Sequence, residues 1–181
     1  MRKRIQYKKV LKAHQDRIYG YALYFLRNRD DASDVAQETF IRLWNHWQTI
    51  DLENVSAWLM RVNHHLCIDY VRKRKLNTKR FTSIHDDPFW DVGDDVNSGY
   101  NPEYAYQFTE LQKILLTALD ALPEQTKSIM IMHYVQGIKL TDISEMMAMN
   151  LNTVKVTALR GRKQLKELME KHYPEVTEAF L

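Results

Sequence analysis

The residues whose types and spacing best suit binding of a charged partner lie near the end of the chain. There a tight turn joins two segments in which apolar residues recur with the period of an α-helix. In the second segment Lys155, Arg160 and Lys163 project from a side that differs from its apolar stripe. That stripe consists of Val154, Ala158, Gly161, Leu165 and Leu168. Asn150 is placed to cap the second segment. A helix-turn-helix puts such a helix in the DNA major groove, so the pattern predicts duplex DNA binding; an αα-hairpin with solvated cations is the alternative.

The composition predicts an all-helical protein, so that the helix-turn-helix would be held in place by other helices. Glycine and proline number only five and four among 181 residues, and the hydrophobic fraction of 45% is enough for packed cores. Cys67 is the single cysteine, which excludes a disulfide within one chain and suits a reducing compartment. No apolar run approaches the roughly 18 residues of a membrane span. We therefore expect a cytoplasmic protein without membrane insertion.

Charge divides the chain into three parts. Residues 1–76 carry 15 Lys and Arg against 8 Asp and Glu, residues 77–110 carry 2 against 7, and residues 111–181 carry 9 against 8. The acidic part includes two prolines and two glycines and has no sustained period, which predicts a flexible linker. The resulting fold class is all-α, with two small helical domains (1–76 and 111–181) joined by an acidic linker, the second domain ending in the helix-turn-helix.

Three helical segments are predicted for the N-terminal domain. The first runs from about Tyr7 to Arg27, and the second begins near Asp31. The second buries an apolar side formed by Val35, Ala36, Phe40, Leu43 and Trp47. Its outward row has mixed charge and consists of Asp34, Gln37, Glu38, Ile41, Arg42 and Asn45. Ser56 is expected to cap the third segment, which ends in the basic run 72–75.

The third segment combines aromatic and cationic side chains, a combination that single-stranded nucleic acid binding uses. The neighbouring His64, His65 and Cys67 lack the opposed ligand pairs of a zinc site. No cofactor site and no catalytic motif is predicted. In the C-terminal domain we expect a helical core that begins at Leu111 and uses Leu115, Ala118, Leu119, Leu122, Ile129, Met132, His133, Val135, Met146 and Met147.

Three segments, residues 31–44, 57–74 and 121–155, resemble the bacterial extracytoplasmic-function sigma factors and occur in that family's order. The likeness extends from about residue 7 to residue 170. It implies a promoter-specificity subunit that binds core RNA polymerase, recognises promoter DNA as duplex and as melted non-template strand, and has no catalytic residues. It also implies an inhibitory anti-sigma factor as a partner. A stand-alone helix-turn-helix regulator and a helical adaptor without a nucleic acid partner remain the alternatives.

The resemblance also assigns roles to residues. It implies that Asp34, Gln37, Glu38 and Arg42 dock on a coiled coil of the largest polymerase subunit. It implies that the third helix and the loop before it melt the minus-ten element and capture an unpaired base through Arg61, His65, Tyr70, Arg72, Lys73 and Arg74. The recognition helix would read the minus-thirty-five element through Asn152, Lys155, Val156, Leu159, Arg160 and Lys163.

The chain departs from the family pattern at two places. His64 and His65 stand where other residues are common, which leaves the preferred unpaired base open. Val156 and Leu159 stand where polar residues are frequent. Apolar side chains at a base edge favour thymine methyl groups, but the same two side chains could instead pack against a neighbouring helix.

Overall fold

The computed structural model describes residues 2–80 and 110–174, which form α-helices without any strand. The helices are α1 (Arg2–Leu26), α2 (Arg29–His46), α3 (Val55–Arg80), α4 (Glu110–Asp120), α5 (Glu124–Met130), α6 (Leu140–Met146) and α7 (Leu151–His172). A 3₁₀ turn, Leu52–Asn54, leads into α3, and a π-helical turn, Ile131–Val135, continues α5. The all-α prediction is confirmed. Most of the predicted acidic linker, residues 81–109, lies outside the described residues.

Helices α1, α2 and α3 pack around the predicted apolar side of α2. The five residues expected there are all buried: Val35, Ala36, Phe40, Leu43 and Trp47. Arg27, with φ of 61°, turns the chain out of α1, and the Asn28 side chain accepts a hydrogen bond from the Asp31 amide at 2.9 Å. This cap satisfies an N–H group that the first turn of α2 would leave free.

The expected cap of the third helix was wrong. Asp51 caps the 3₁₀ turn that precedes α3, because its carboxylate accepts the Glu53 amide at 3.0 Å and the Asn54 side-chain amide at 2.7 Å. These bonds organise the 3₁₀ turn, which passes directly into α3 at Val55. Ser56 therefore lies inside the first turn of the helix.

The helix-turn-helix has the predicted form. Asn150 accepts the Asn152 amide at 2.8 Å and caps α7, while Val154, Ala158 and Gly161 are buried and Leu165 and Leu168 are half-buried. Met149 donates its amide to the Ser144 carbonyl at 2.9 Å across the turn. Burial of one stripe thus fixes which side of α7 faces outward.

The core of the C-terminal half agrees with expectation except at Val135. Most expected members are buried, namely Ala118, Leu119, Leu122, Ile129, Met132 and Met146. Leu115, His133 and Met147 are half-buried, and the side chain of Leu111 lies outside the described part of the chain. Val135 is 36% exposed because it lies in the π-helical turn, in which the Gln136 amide donates to the Ile131 carbonyl at 3.1 Å. A π-helical turn holds one residue more than an α-helical turn, so the side chains that follow point in a different direction around the helix axis. Ile131 and Leu116 are buried in addition.

The two halves pack against each other and share one apolar cluster. The Lys127 ammonium crosses between them and donates to the Phe25 carbonyl oxygen at 2.7 Å. Asp120 pairs with both Lys127 and Arg27. Gln136 donates its side-chain amide to the Arg17 carbonyl at 2.9 Å. Among the helices that the structure describes, none is long and apolar enough to cross a membrane.

Gly161 provides a test of the packing between α5 and α7. A Cβ at this position would lie 2.6 Å from Thr126 Cγ2 and 3.1 Å from Met130 Sδ. In an exposed helix Gly→Ala gains about 1 kcal/mol, whereas overpacking a core costs about 1–3 kcal/mol. We expect Gly161→Ala to lower the free energy of unfolding measured in urea. Adding Thr126→Ser removes the clashing methyl group and should restore stability; a more stable single variant would contradict this packing.

Candidate polymerase and nucleic-acid interfaces

The predicted polymerase-docking row lies on the outer side of α2. Asp34, Gln37 and Arg42 are exposed, and Glu38 is half-buried. Arg42 Nε bonds to Glu38 Oε1 at 2.9 Å, and Gln37 Nε2 donates to Ser33 Oγ at 3.2 Å. Such an exposed i,i+4 ion pair contributes only about 0.3–0.5 kcal/mol, so a partner displaces it at little cost. The Glu38 carboxylate and the Arg42 guanidinium are therefore both available to a partner.

Two apolar side chains lie beside this row. Ile41 is 52% exposed and Trp44 is 40% exposed. The Lys3 ammonium lies 4.4 Å from the centroid of the Trp44 ring, and the Tyr7 ring meets Trp44 edge-on at 5.0 Å. Trp44 was not predicted as part of the surface, although its spacing of seven residues from Gln37 places it on the same side of the helix. Aromatic anchors of this kind often dominate the binding energy of protein interfaces.

Helix α3 presents the predicted cations along its exposed side. Arg61 and His65 lie one turn apart and are exposed, and Arg72, Lys73 and Arg74 are exposed at its later turns. Tyr70 differs, because it is half-buried and its hydroxyl donates to Asp31. That hydrogen bond raises the pKa of Tyr70 to about 12, with burial adding to the effect. Tyr70 thus braces α3 against the start of α2.

The adjacent histidines point into different surroundings. His64 is buried, and its Nδ1 lies 3.0 Å from the Tyr21 hydroxyl. Burial, with a smaller contribution from the neighbouring His65, lowers the pKa of His64 to about 4, so His64 is neutral at neutral pH. His65 is exposed. Of these two histidines, only the side chain of His65 is exposed at the surface.

A cavity of about 230 Å³ lies beside Arg61, between the loop that follows α2 and the start of α3. Its lining residues are His46, Thr49, Ile50, Asp51, Asn54, Ala57, Trp58 and Arg61. The His46 and Trp58 rings lie 6.1 Å apart. His46 Nδ1 lies 3.0 Å from the Arg42 carbonyl oxygen and donates to it, because a carbonyl oxygen can only accept. Aromatic walls with polar edges suit a planar nucleobase.

The sequence predicted a role for this loop but not for individual residues of the cavity. Trp58 carried a signal, since it belongs to the aromatic and cationic set of α3. No sequence pattern pointed to His46 or Asn54, because their position next to Arg61 depends on how the loop folds around the Asp51 cap.

Arg61 also bonds to the other half of the chain. Its Nε donates to the Met146 carbonyl oxygen and its Nη2 to the Glu145 carbonyl oxygen, both at 3.0 Å. These carbonyls lie at the end of α6, where intrahelical partners run out. The guanidinium therefore joins the wall of the cavity to the helix-turn-helix.

The predicted reading side of α7 is exposed along its length. Its members are Asn152, Lys155, Val156, Leu159, Arg160 and Lys163. Val156 is 45% exposed and Leu159 is 68% exposed, so neither packs into the core of the described chain. The sequence left two alternatives for Val156 and Leu159, contact with thymine methyl groups and packing against a neighbouring helix. The second alternative is wrong. The described residues also contain no cluster of three or more His, Cys, Asp or Glu that suits a metal ion.

Two family patterns match the chain in order. Sigma-70 region 2 matches residues 10–76 and sigma-70 region 4 matches residues 112–165. Curated relatives include the extracytoplasmic-function sigma factor SigE of Mycolicibacterium smegmatis, with 30% identity over 94% of this chain and 64% of that protein. The chain thus spans less than two thirds of that relative. SigW of Bacillus subtilis is 28% identical over 87% of this chain and 86% of its own length.

Solved structures agree on the fold. The sigma factor RpoE of Bartonella quintana, crystallised with the anti-sigma factor NepR, has a TM-score of 0.71 at 20% identity, covering 91% of this chain and 97% of that chain. CnrH, in complex with the cytosolic domain of CnrY, has a TM-score of 0.65 at 16% identity, covering 92% and 88%. With the two sigma-70 regions in order over most of its length, the chain belongs to the sigma-70 family, and the curated relatives that it is similar to are extracytoplasmic-function members of that family.

Proposed function

We propose that this chain delivers core RNA polymerase to specific promoters and helps to open them, and that three surfaces divide this work. The outer row of α2 (Asp34, Gln37, Glu38 and Arg42, with Ile41 and Trp44) binds the polymerase. The exposed side of α3 with the cavity beside Arg61 binds the melted strand, and the exposed side of α7 reads duplex DNA. Residues 1–76, 77–110 and 111–181 form the docking and melting domain, the linker and the reading domain.

One observation carries the proposal most directly. All six residues of α7 that the resemblance assigns to DNA are exposed, while the opposite stripe of the same helix is buried. Cations, an amide and apolar side chains therefore share one side of a capped helix, as major-groove readout requires. The family assignment weighs against a helical adaptor, and the region 2 match weighs against a stand-alone regulator. Sigma factors are initiation factors and not enzymes.

In this proposal the cavity beside Arg61 receives an unpaired base. His46 and Trp58 supply aromatic faces, and Asp51 and Asn54 supply polar edges. Removing a base from the stack costs a few kcal/mol, which such contacts offset. The exposed His65 lies one turn further along α3 and meets the neighbouring nucleotides.

The proposal includes a regulatory partner and a location. Both structural relatives described above were solved in complex with another protein, named as an anti-sigma factor in the case of RpoE. We propose that an anti-sigma factor controls this chain as well. Because its principal partner is core RNA polymerase, we place its site of action in the cytoplasm.

Removing charge from the α2 row tests polymerase docking. Asp34→Ala with Glu38→Ala should weaken binding to core polymerase about tenfold, or roughly 1.4 kcal/mol, because contacts to both side chains are lost. Fluorescence-detected titration with core enzyme measures the affinity. The free energy of unfolding should change by no more than about 0.5 kcal/mol, since both positions lie at the surface. Asp16→Ala with Glu170→Ala is the matched control, and undiminished core binding in the α2 variant would refute the assignment.

The apolar pair of α7 provides a test of base readout. Replacing a thymine of the minus-thirty-five element by uracil removes one methyl group, which should weaken promoter binding by the holoenzyme about fourfold, or roughly 0.8 kcal/mol. The same replacement should have no effect on a Val156→Ala, Leu159→Ala variant, because the contact is already absent. Uracil outside the element is the control. Equal losses in both proteins would show that these side chains do not touch a thymine methyl.

The basic run at the end of α3 should act through charge alone. Changing Arg72, Lys73 and Arg74 to Gln should weaken binding to all promoters and reduce the slope of log affinity against log salt by about 2, given about 0.7 per phosphate of a single strand. Promoter binding by reconstituted holoenzyme over a salt series measures this slope. The matched control neutralises three exposed lysines of α1, namely Lys8, Lys9 and Lys12. A loss confined to one promoter sequence would argue for base contacts instead.

A further inference from the structure

The polar groups around the cavity beside Arg61 are largely engaged by the protein itself. The Asp51 carboxylate accepts the Glu53 amide through Oδ1 and the Asn54 side-chain amide through Oδ2. Arg61 directs Nε and Nη2 to carbonyl oxygens at the end of α6. His46 differs, because its Nδ1 is bonded while its other ring nitrogen, Nε2, has no partner among the described residues. His46 Nε2 is therefore free to bond to a ligand in the cavity.

The geometry of the two rings directs this nitrogen toward the edge of a bound base. The bond from Nδ1 to the Arg42 carbonyl oxygen, at 3.0 Å, fixes the His46 ring at the end of α2. The planes of the His46 and Trp58 rings are inclined at 45°. A base that stacks on Trp58 therefore meets His46 obliquely, on the part of the ring that points away from the Arg42 carbonyl. Stacking fixes the plane of the base, and a hydrogen bond to its edge then distinguishes one base from another.

The role of Nε2 in such a bond depends on the charge of the ring. When Nδ1 carries the proton of a neutral ring, Nε2 accepts, whereas in a protonated ring it donates. Histidine is the side chain that ordinarily changes charge between pH 5 and 8. The charged groups around His46 keep one role, since the Asp51 carboxylate of the loop accepts and the Arg61 guanidinium of α3 donates. On α2 itself, Arg42 and Glu38 are paired with each other.

We propose that His46 selects the captured base through a hydrogen bond to Nε2, and that this selection changes with pH. The neutral ring accepts from an exocyclic amine, which cytosine carries as N4 and adenine as N6. The protonated ring donates to a carbonyl oxygen, which thymine carries as O4 and guanine as O6. The selection rests on the proposed capture of a base in this cavity. It adds the side chain that discriminates and the base edge that it reads.

Cytosine and uracil provide the matched test. Both lack the C5 methyl group of thymine, and they differ only along the edge that carries the amine or the carbonyl oxygen. Holoenzyme assembled with the full chain is first bound to promoter DNA with an abasic site at each position of the non-template minus-ten strand in turn. The captured position is the one at which loss of the base weakens binding most. Cytosine or uracil is then placed there, and fluorescence anisotropy gives the ratio of the two affinities at about pH 6 and about pH 8.

Wild-type holoenzyme should prefer cytosine at the higher pH. The expected preference is about three- to tenfold, which is the usual effect of one hydrogen bond, and it should fall by about threefold or more at the lower pH. General effects of pH on charge cancel in the ratio. His46→Gln should give the same ratio at both pH values, because an amide carries a donor and an acceptor and does not titrate.

Two further variants keep the test decisive. His46→Asn also lacks a titrating ring, and its short amide can still donate to the Arg42 carbonyl oxygen, so it serves if His46→Gln does not fold. His172→Gln, exposed at the end of α7, is the matched control and should retain the wild-type dependence on pH. Circular dichroism and affinity for core enzyme should be unchanged in all three variants.

The outcomes separate this selection from the proposed function. A wild-type preference for uracil at about pH 8, a ratio that does not change with pH, or the same change in the His46 variants would overturn the role of His46 and leave base capture intact. An abasic scan in which no position weakens binding would refute base capture, and the role of His46 with it.

Discussion

Burial of one stripe on each functional helix determines which side chains a partner can meet. On α7 the stripe of Val154, Ala158 and Gly161 packs so closely on α5 that a Cβ at Gly161 would lie 2.6 Å from Thr126. This leaves no freedom for the helix to rotate, so its cations and its exposed apolar pair must face outward. The same constraint on α2 places a mixed-charge row opposite Leu43 and Phe40. The orientation of the side chains that a partner would contact therefore depends on packing at the opposite, buried side of each helix.

The junction between the halves follows a different physical rule. Burying Lys127 costs free energy, which is offset by its bond to Asp120 within the C-terminal half and by its bond to the Phe25 carbonyl oxygen across the junction. A purely apolar contact would hold the halves together without requiring a specific relative orientation of individual groups. The polar junction instead makes the packed arrangement sensitive to a few named groups, and it brings the end of α6 against Arg61. Packing of the halves and exposure of the α3 cations are thus linked by geometry.

Local patterns predicted much of this structure. The period of apolar residues predicted the buried sides of α2 and α7, and residue spacing predicted the Asn150 cap and the exposed side of α7. The errors arose where the local backbone differed from the expected one. The Asp51-capped 3₁₀ turn lets α3 begin at Val55, before Ser56, and the π-helical turn moves Val135 to the surface. The bonds of Arg61 and Lys127 to the opposite half join residues 84 or more positions apart. No local period encodes such contacts, and the cavity beside Arg61 depends on loop geometry in the same way.

The central claim is that the chain gives core RNA polymerase its choice of promoter. Transcription of genomic DNA by purified core enzyme, with and without this protein, followed by mapping of the RNA 5′ ends, tests it most directly. The account predicts start sites that appear only with the protein and that share two upstream sequence elements, one read as duplex by α7 and one melted at α3. A set of start sites identical to that of core enzyme alone would contradict it.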